Sequence, residues 1–147
     1  MLQRIQSIYL FLVFICYFSY SYFGFEYYKK GYDLININFD LIFNLSSYIP
    51  LLISIICLLS IFLFKKRTLQ IKLVYVCMYL SIYMIIFSVV YFYFSLNDLI
   101  EIMPSNVLKI LLYAAMINPF FSTYLLSLAL KSIKNDEKLV RGEGLIR

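Results

Sequence analysis

Four long stretches without a single charge dictate what this chain can fold into. No charged residue lies between Arg4 and Glu26, Asp40 and Lys65, Lys72 and Asp98, or Lys109 and Lys131, gaps of 21, 24, 25 and 21 residues. An α-helix rises ~1.5 Å per residue, so the shortest gap covers ~31 Å and matches the ~30 Å hydrocarbon layer of a bilayer. The expected fold is therefore an all-α integral membrane protein, a bundle of four transmembrane helices spanning about residues 5–25, 46–64, 69–96 and 107–130. With 63% hydrophobic and 14% charged residues, the chain has no material for a second, water-soluble core, and residues 1–147 read as a single membrane domain.

Basic residues in short loops resist translocation and set orientation. Ten of the thirteen fall on one side: Arg4, Lys65, Lys66, Arg67, Lys72, Lys131, Lys134, Lys138, Arg141 and Arg147. Lys29, Lys30 and Lys109 share the other side with Glu26, Asp33, Asp40, Asp98 and Glu101. Both termini are expected to be cytoplasmic, with an external loop over residues 26–45 and a cytoplasmic tail over residues 131–147. In that loop, Ile35 to Asp40 alternate apolar with polar, which suggests an extended segment. Lys30-Gly31 supplies a turn, so a short β-hairpin with Phe25 to Lys29 is expected there.

The +5 net charge sits where topology requires it and forms no groove for nucleic acid, so the lipid bilayer is the partner implied. The chain has no histidine, and none of its spans holds a carboxylate at membrane depth. Paired acids, a Ser/His arrangement and a metal cluster are thereby missing, so no catalytic residue, cofactor or metal is assigned and an enzyme is not expected. Cys16, Cys57 and Cys77 lie singly in three spans without a pairing motif and read as small apolar filler.

Asn118-Pro119 falls near the middle of the fourth stretch. Proline removes the donor that would serve the Ala115 carbonyl and its ring crowds that carbonyl, so a helix break is expected here. Asn118 is placed to serve that carbonyl or to bond across to another helix, and a pathway for a small solute is the functional alternative. Serine and proline from Ser46 to Pro50 read as the start of the second helix. From Leu128 to Leu139 strong helix formers run without proline until Gly142 and Gly144, so the fourth helix is expected to continue to about Val140. Lys131, Lys134, Lys138 and Arg141 then make one basic stripe, while Asp136 and Glu137 point elsewhere, towards Arg4 or the link at Lys65 to Arg67.

Both chain ends resemble a known family. The opening Met1-Leu2-Gln3-Arg4-Ile5-Gln6-Ser7-Ile8-Tyr9-Leu10 and the closing Lys134-Asn135-Asp136-Glu137-Lys138-Leu139-Val140-Arg141 look like the terminal signatures of domain of unknown function family 4293. Those small four-helix inner-membrane proteins are typical of Bacteroidetes. The last residues, Gly144-Leu145-Ile146-Arg147, depart from the family's Asp-Arg-Leu-Arg-like close. The resemblance implies a multi-pass protein of a bacterial inner membrane with an uncharacterised function, and it transfers no catalytic residue. Polar, specific ends on chemically quiet spans lead to the expectation of a non-enzymatic scaffold or accessory subunit with a membrane or cytoplasmic protein partner. Its candidate interaction surface is Gln3, Arg4, Lys131, Lys134, Asp136, Glu137, Lys138 and Arg141. A small channel or transporter using the Asn118-Pro119 break is the alternative.

Overall fold

A computed structural model describes residues 2–34, 40–102, 106–140 and 142, with side chains described over residues 5–22, 44–94, 100–101, 106–107, 109–138 and 142. The described residues form four helices: α1 (Leu2–Leu34), α2 (Asp40–Phe62), α3 (Arg67–Ile102) and α4 (Asn106–Val140). All four carry a segment long and apolar enough to cross a membrane.

Each helix outruns its charge-free stretch at one end or more. The 33-residue α1 is ~50 Å long and continues nine residues past Phe25, about 13 Å beyond the lipid-matched segment. This corrects the hairpin: Phe25 to Lys29 are helical, and no strand occurs among the described residues. An isolated hairpin leaves both outer edges unpaired, whereas a helix growing from a buried span satisfies its backbone within itself. Of the alternating segment, residues 35–39 lie outside the described residues. The second helix likewise starts earlier than expected, at Asp40, so Pro50 sits inside it rather than in its first turn.

The link from α2 to α3 is tight. Leu63 N–H donates to Leu59 O at 3.1 Å, Lys66 N–H to Leu63 O at 2.9 Å, and Gln70 N–H to Lys66 O at 3.0 Å. So short a connection makes α2 and α3 antiparallel neighbours. Around the bundle, α1 packs on α2 and α4, and α3 packs on the same two, while α2 and α4 do not meet among the described residues. The start of α1 and the end of α4 therefore lie together.

What the bundle buries is a stripe at alternating steps of three and four on every helix. It reads Gln6, Leu10, Val13, Tyr17 on α1 and Ser46, Pro50, Ile53, Cys57, Ser60 on α2. On α3 it is Gln70, Val74, Cys77, Ser81, Met84, Ser88, Tyr91, and on α4 Pro119, Ser122, Leu126, Ala129, Ile133, Asp136. That spacing is the seam of left-handed helix packing. Many of its members are small or weakly polar, while Phe11, Ile15, Phe18, Leu52, Ile55, Ile86, Val90, Ile117 and Phe121 face outward. Lipid is as apolar as leucine, so close approach and hydrogen bonds, rather than hydrophobicity, select the inner face.

At the far end of α4 the expected extension is present. The helix runs to Val140, and Gly142 then takes φ 76°, the left-handed conformation that ends helices and that glycine adopts without strain.

Candidate functional site at the basic end of the bundle

Two polar clusters tie the helices together. The first lies mid-span around Pro119. Thr123 Oγ1 donates to the Pro119 carbonyl at 2.7 Å and lies 2.7 Å from Ser81 Oγ, which lies 2.6 Å from the Tyr17 hydroxyl. Each hydroxyl has one proton, so a single order satisfies all three: Tyr17 donates to Ser81, Ser81 to Thr123, and Thr123 to Pro119 O. Three helices are thereby joined through four residues.

Asn118 takes the crossing alternative expected of it. Its Nδ2 donates to Cys16 O of α1 at 3.2 Å, and its Oδ1 accepts from Ser122 Oγ at 3.0 Å. Around Pro119, α4 stays helical from Asn106 to Val140, so the distortion expected there does not end the helix. In a membrane helix the neighbours compensate for a missing donor, and Pro119 is fully buried against them. Cys57 and Cys77 meet in the same layer, with the Cys57 thiol 3.7 Å from Cys77 Sγ and the Cys77 thiol 4.0 Å from Ile53 O.

The second cluster closes the end where α1 starts and α4 finishes. Asp136 is 5% exposed, on the inner stripe of α4 one turn beyond the buried Ile133. Its Oδ2 accepts a hydrogen bond from Gln6 Nε2 of α1 and lies 3.9 Å from Arg67 Nη1 at the start of α3. The link expected between Asp136 and the basic segment thus exists, made by Arg67. Asp136 itself, however, is corrected from surface to interior: steps of three and four from Leu126, Ala129 and Ile133 carry it inward. Three residues on from Arg67, the buried Gln70 donates from Nε2 to Ser60 O of α2 at 3.1 Å. Among the described residues, Arg67 Nη1 and Asp136 Oδ1 are buried without a hydrogen-bond partner, so within them the pair is held by charge rather than by a complete hydrogen-bonded network.

Around this closed centre stands an exposed basic ring: Lys65, Lys66, Lys72, Lys131, Lys134 and Lys138. Lys134 donates to the Tyr75 hydroxyl and lies over its ring, 4.9 Å from the centroid. Glu137 is half-buried. Gln3 and Arg4 fall in the first turns of α1, but their side chains, like Arg141, lie outside the described residues. Of the expected surface, then, Lys131, Lys134 and Lys138 are on it, and Asp136 is beneath it. Tyr17, Ser81 and Thr123 were not singled out from the sequence, and Gln6 entered only as part of the opening signature; Gln6 and Ser81 stand in register with the buried stripes, which is the signal that finds them.

The family described as Domain of unknown function (DUF4293) matches residues 2–143 of the chain. No curated protein and no solved structure matches it.

Proposed function

Since the chain belongs to the DUF4293 family, whose function is unknown, we propose that it is a non-enzymatic scaffold or accessory subunit of a bacterial inner membrane. Its basic end is cytoplasmic in this reading and meets a protein partner there. One observation carries the proposal: the polar side chains around Pro119 are engaged between helices, while cations stand unburied at one end. Tyr17, Ser81, Thr123 and Asn118 use their hydrogen-bonding groups on other helices or on their own. A solute pathway needs such groups turned towards a passage, and a reaction needs groups poised on a substrate. Lys65, Lys66 and Lys138 instead stand exposed at the end where α1 starts and α4 finishes.

Orientation is checked with reporter fusions. Fusions after Arg67 and after Arg147 are expected to report the cytoplasm, and fusions at Lys30 and Asp98 the outside, because the basic residues are divided ten to three. An external signal at Arg67 reverses the reading.

The partner is tested in cells with a photocrosslinking residue at Lys66 or Lys138. A discrete protein adduct is expected, lost when Lys65, Lys66 and Lys138 are changed together to glutamate. No adduct at either position counts against a scaffold. The transport alternative is tested in liposomes, where the purified protein is expected to add no ion or solute flux. Flux that disappears in a folded Asn118→Leu protein would replace the scaffold with a channel.

A further inference from the structure

We propose that the seam between α3 and α4 at the basic end holds the phosphate of an anionic phospholipid, independently of any protein bound to the rim. The site begins with the contact of Lys134 and Tyr75, which joins the two helices on their outer side. Lys72 stands three residues before Tyr75, and Lys131 three before Lys134, so each is the helical neighbour of a member of that contact. All three lysines are exposed. Lys134 meets the half-buried Tyr75 and the other two lie one helical step from that contact; no acidic residue lies on α3 between Arg67 and Phe94, and on α4 Glu137, three residues after Lys134, is half-buried.

The chemistry at the centre favours an anionic oxygen acceptor. Tyr75 accepts from Lys134, which leaves its own hydroxyl proton free to donate, and Lys134 retains two further N–H donors. A phosphate diester between them would receive charge-assisted bonds from both helices, with Lys72 and Lys131 adding field from either side. A carboxylate of a soluble protein would suit the same charge. The surface towards the membrane decides against it.

Below the lysines both helices turn apolar on the same face. On α4 the stripe continues from Lys131 through Ser127 and Tyr124 to Phe120; on α3 it continues from Lys72 and Tyr75 through Tyr79 and Ile82 to Ile86. Tyr124 is 61% exposed and Tyr79 67%. Lys131 and Phe120 are eleven residues apart, about 17 Å along the axis, close to half of the ~30 Å hydrocarbon layer. A lipid of one leaflet therefore reaches along the seam with its headgroup at the lysines and its acyl chains against the aromatic and aliphatic residues. Amphipathic continuity of this kind fits a phospholipid and not a soluble anion.

The test is native mass spectrometry of the full chain, delipidated in mild detergent and titrated with phosphatidylglycerol or phosphatidylcholine. Preference for phosphatidylglycerol is expected. A lysine near a membrane surface contributes roughly a fivefold factor in affinity for anionic lipid, so Lys72→Gln, Lys131→Gln and Lys134→Gln combined should weaken that binding on the order of a hundredfold. Phosphatidylcholine binding should not change. A control variant with Lys65→Gln, Lys66→Gln and Lys109→Gln loses the same charge elsewhere and should weaken phosphatidylglycerol binding less than about threefold. All substitutions are at exposed or half-exposed side chains, and retention of helical content with a monodisperse elution profile checks the fold. Equal weakening in both variants, or no preference between the two lipids, would overturn the site. Displacement of phosphatidylglycerol by excess inorganic phosphate would overturn the lipid as its occupant. Because no protein partner enters this experiment, its failure leaves the scaffold reading standing, and loss of the crosslinked adduct leaves the lipid site standing.

Discussion

Arg67→Met is expected to lower the stability of the bundle by about 3–5 kcal/mol, read as a shift in the unfolding midpoint in a denaturing-detergent titration followed by circular dichroism. Among the described residues, the substitution leaves the Asp136 carboxylate, 5% exposed, with the Gln6 amide as its one polar partner. Stranding a buried charge costs more than the intact pair contributes, because desolvation is no longer offset by attraction. Asp136→Leu should cost less, about 3 kcal/mol, because the Arg67 side chain is 21% exposed and can turn its guanidinium into water. In the double variant no charge is stranded, and leucine fills the space on the α4 stripe. It should recover at least about 2 kcal/mol relative to the sum of the single changes. If the double variant is as unstable as that sum, the cluster is not held by its charges, and the end of the bundle is closed by Ile133 and Gln70 packing alone.

The same pair shows what was legible in the sequence and what was not. Charge gaps revealed the number of spans, because a charge inside hydrocarbon is costly and its absence over twenty residues has few other meanings. They underestimated length. Helices do not stop at the interface, and α1 continues to Leu34 while α3 continues to Ile102, well past the last apolar residue a bilayer requires.

Facing was harder to read. In a soluble bundle the buried stripe is the apolar one, but here both faces are apolar and the inner face is marked by small and hydroxyl-bearing residues instead. Ser81 and Ser88 lie seven apart, with Val74 and Cys77 in register, and that repeat marks the inside of α3. Gln6 lies on the corresponding stripe of α1. The expected interaction surface includes Asp136, although the same tail is expected to turn it towards Arg4 or the link at Lys65 to Arg67. Counting back in threes and fours to Ile133, Ala129 and Leu126 places it inside, which its burial bears out.

Pro119 lies inside α4 without ending it. A proline weakens a helix in water, yet inside a bundle the neighbouring helices hold the backbone in place while the rest of the ladder remains. The chemistry attached to Asn118 follows from that. Its amide has a donor and an acceptor to satisfy, and with α4 unbroken both are met by α1 and by Ser122 one turn on.

Tyr17 tests how much of the bundle depends on packing and how much on its mid-span hydroxyls. The side chain is fully buried in the core cluster that also holds Cys57 of α2 and Cys77 of α3, and its hydroxyl starts the relay through Ser81 and Thr123. Tyr17→Ala removes the largest fully buried side chain among the described residues and should cost about 3–5 kcal/mol, since the surrounding helices collapse only partly into the space. Tyr17→Phe keeps the ring and removes one donor. Ser81 still donates to Thr123 and has lost only what it accepts, so this change should cost no more than ~1.7 kcal/mol, the upper range for single interhelical bonds in membranes. The ratio of the two values is the informative quantity. A phenylalanine variant as damaged as the alanine one would mean that the relay, not the fit of the ring, holds α1 against α3. The inner face would then be a hydrogen-bonded seam first and a packed one second.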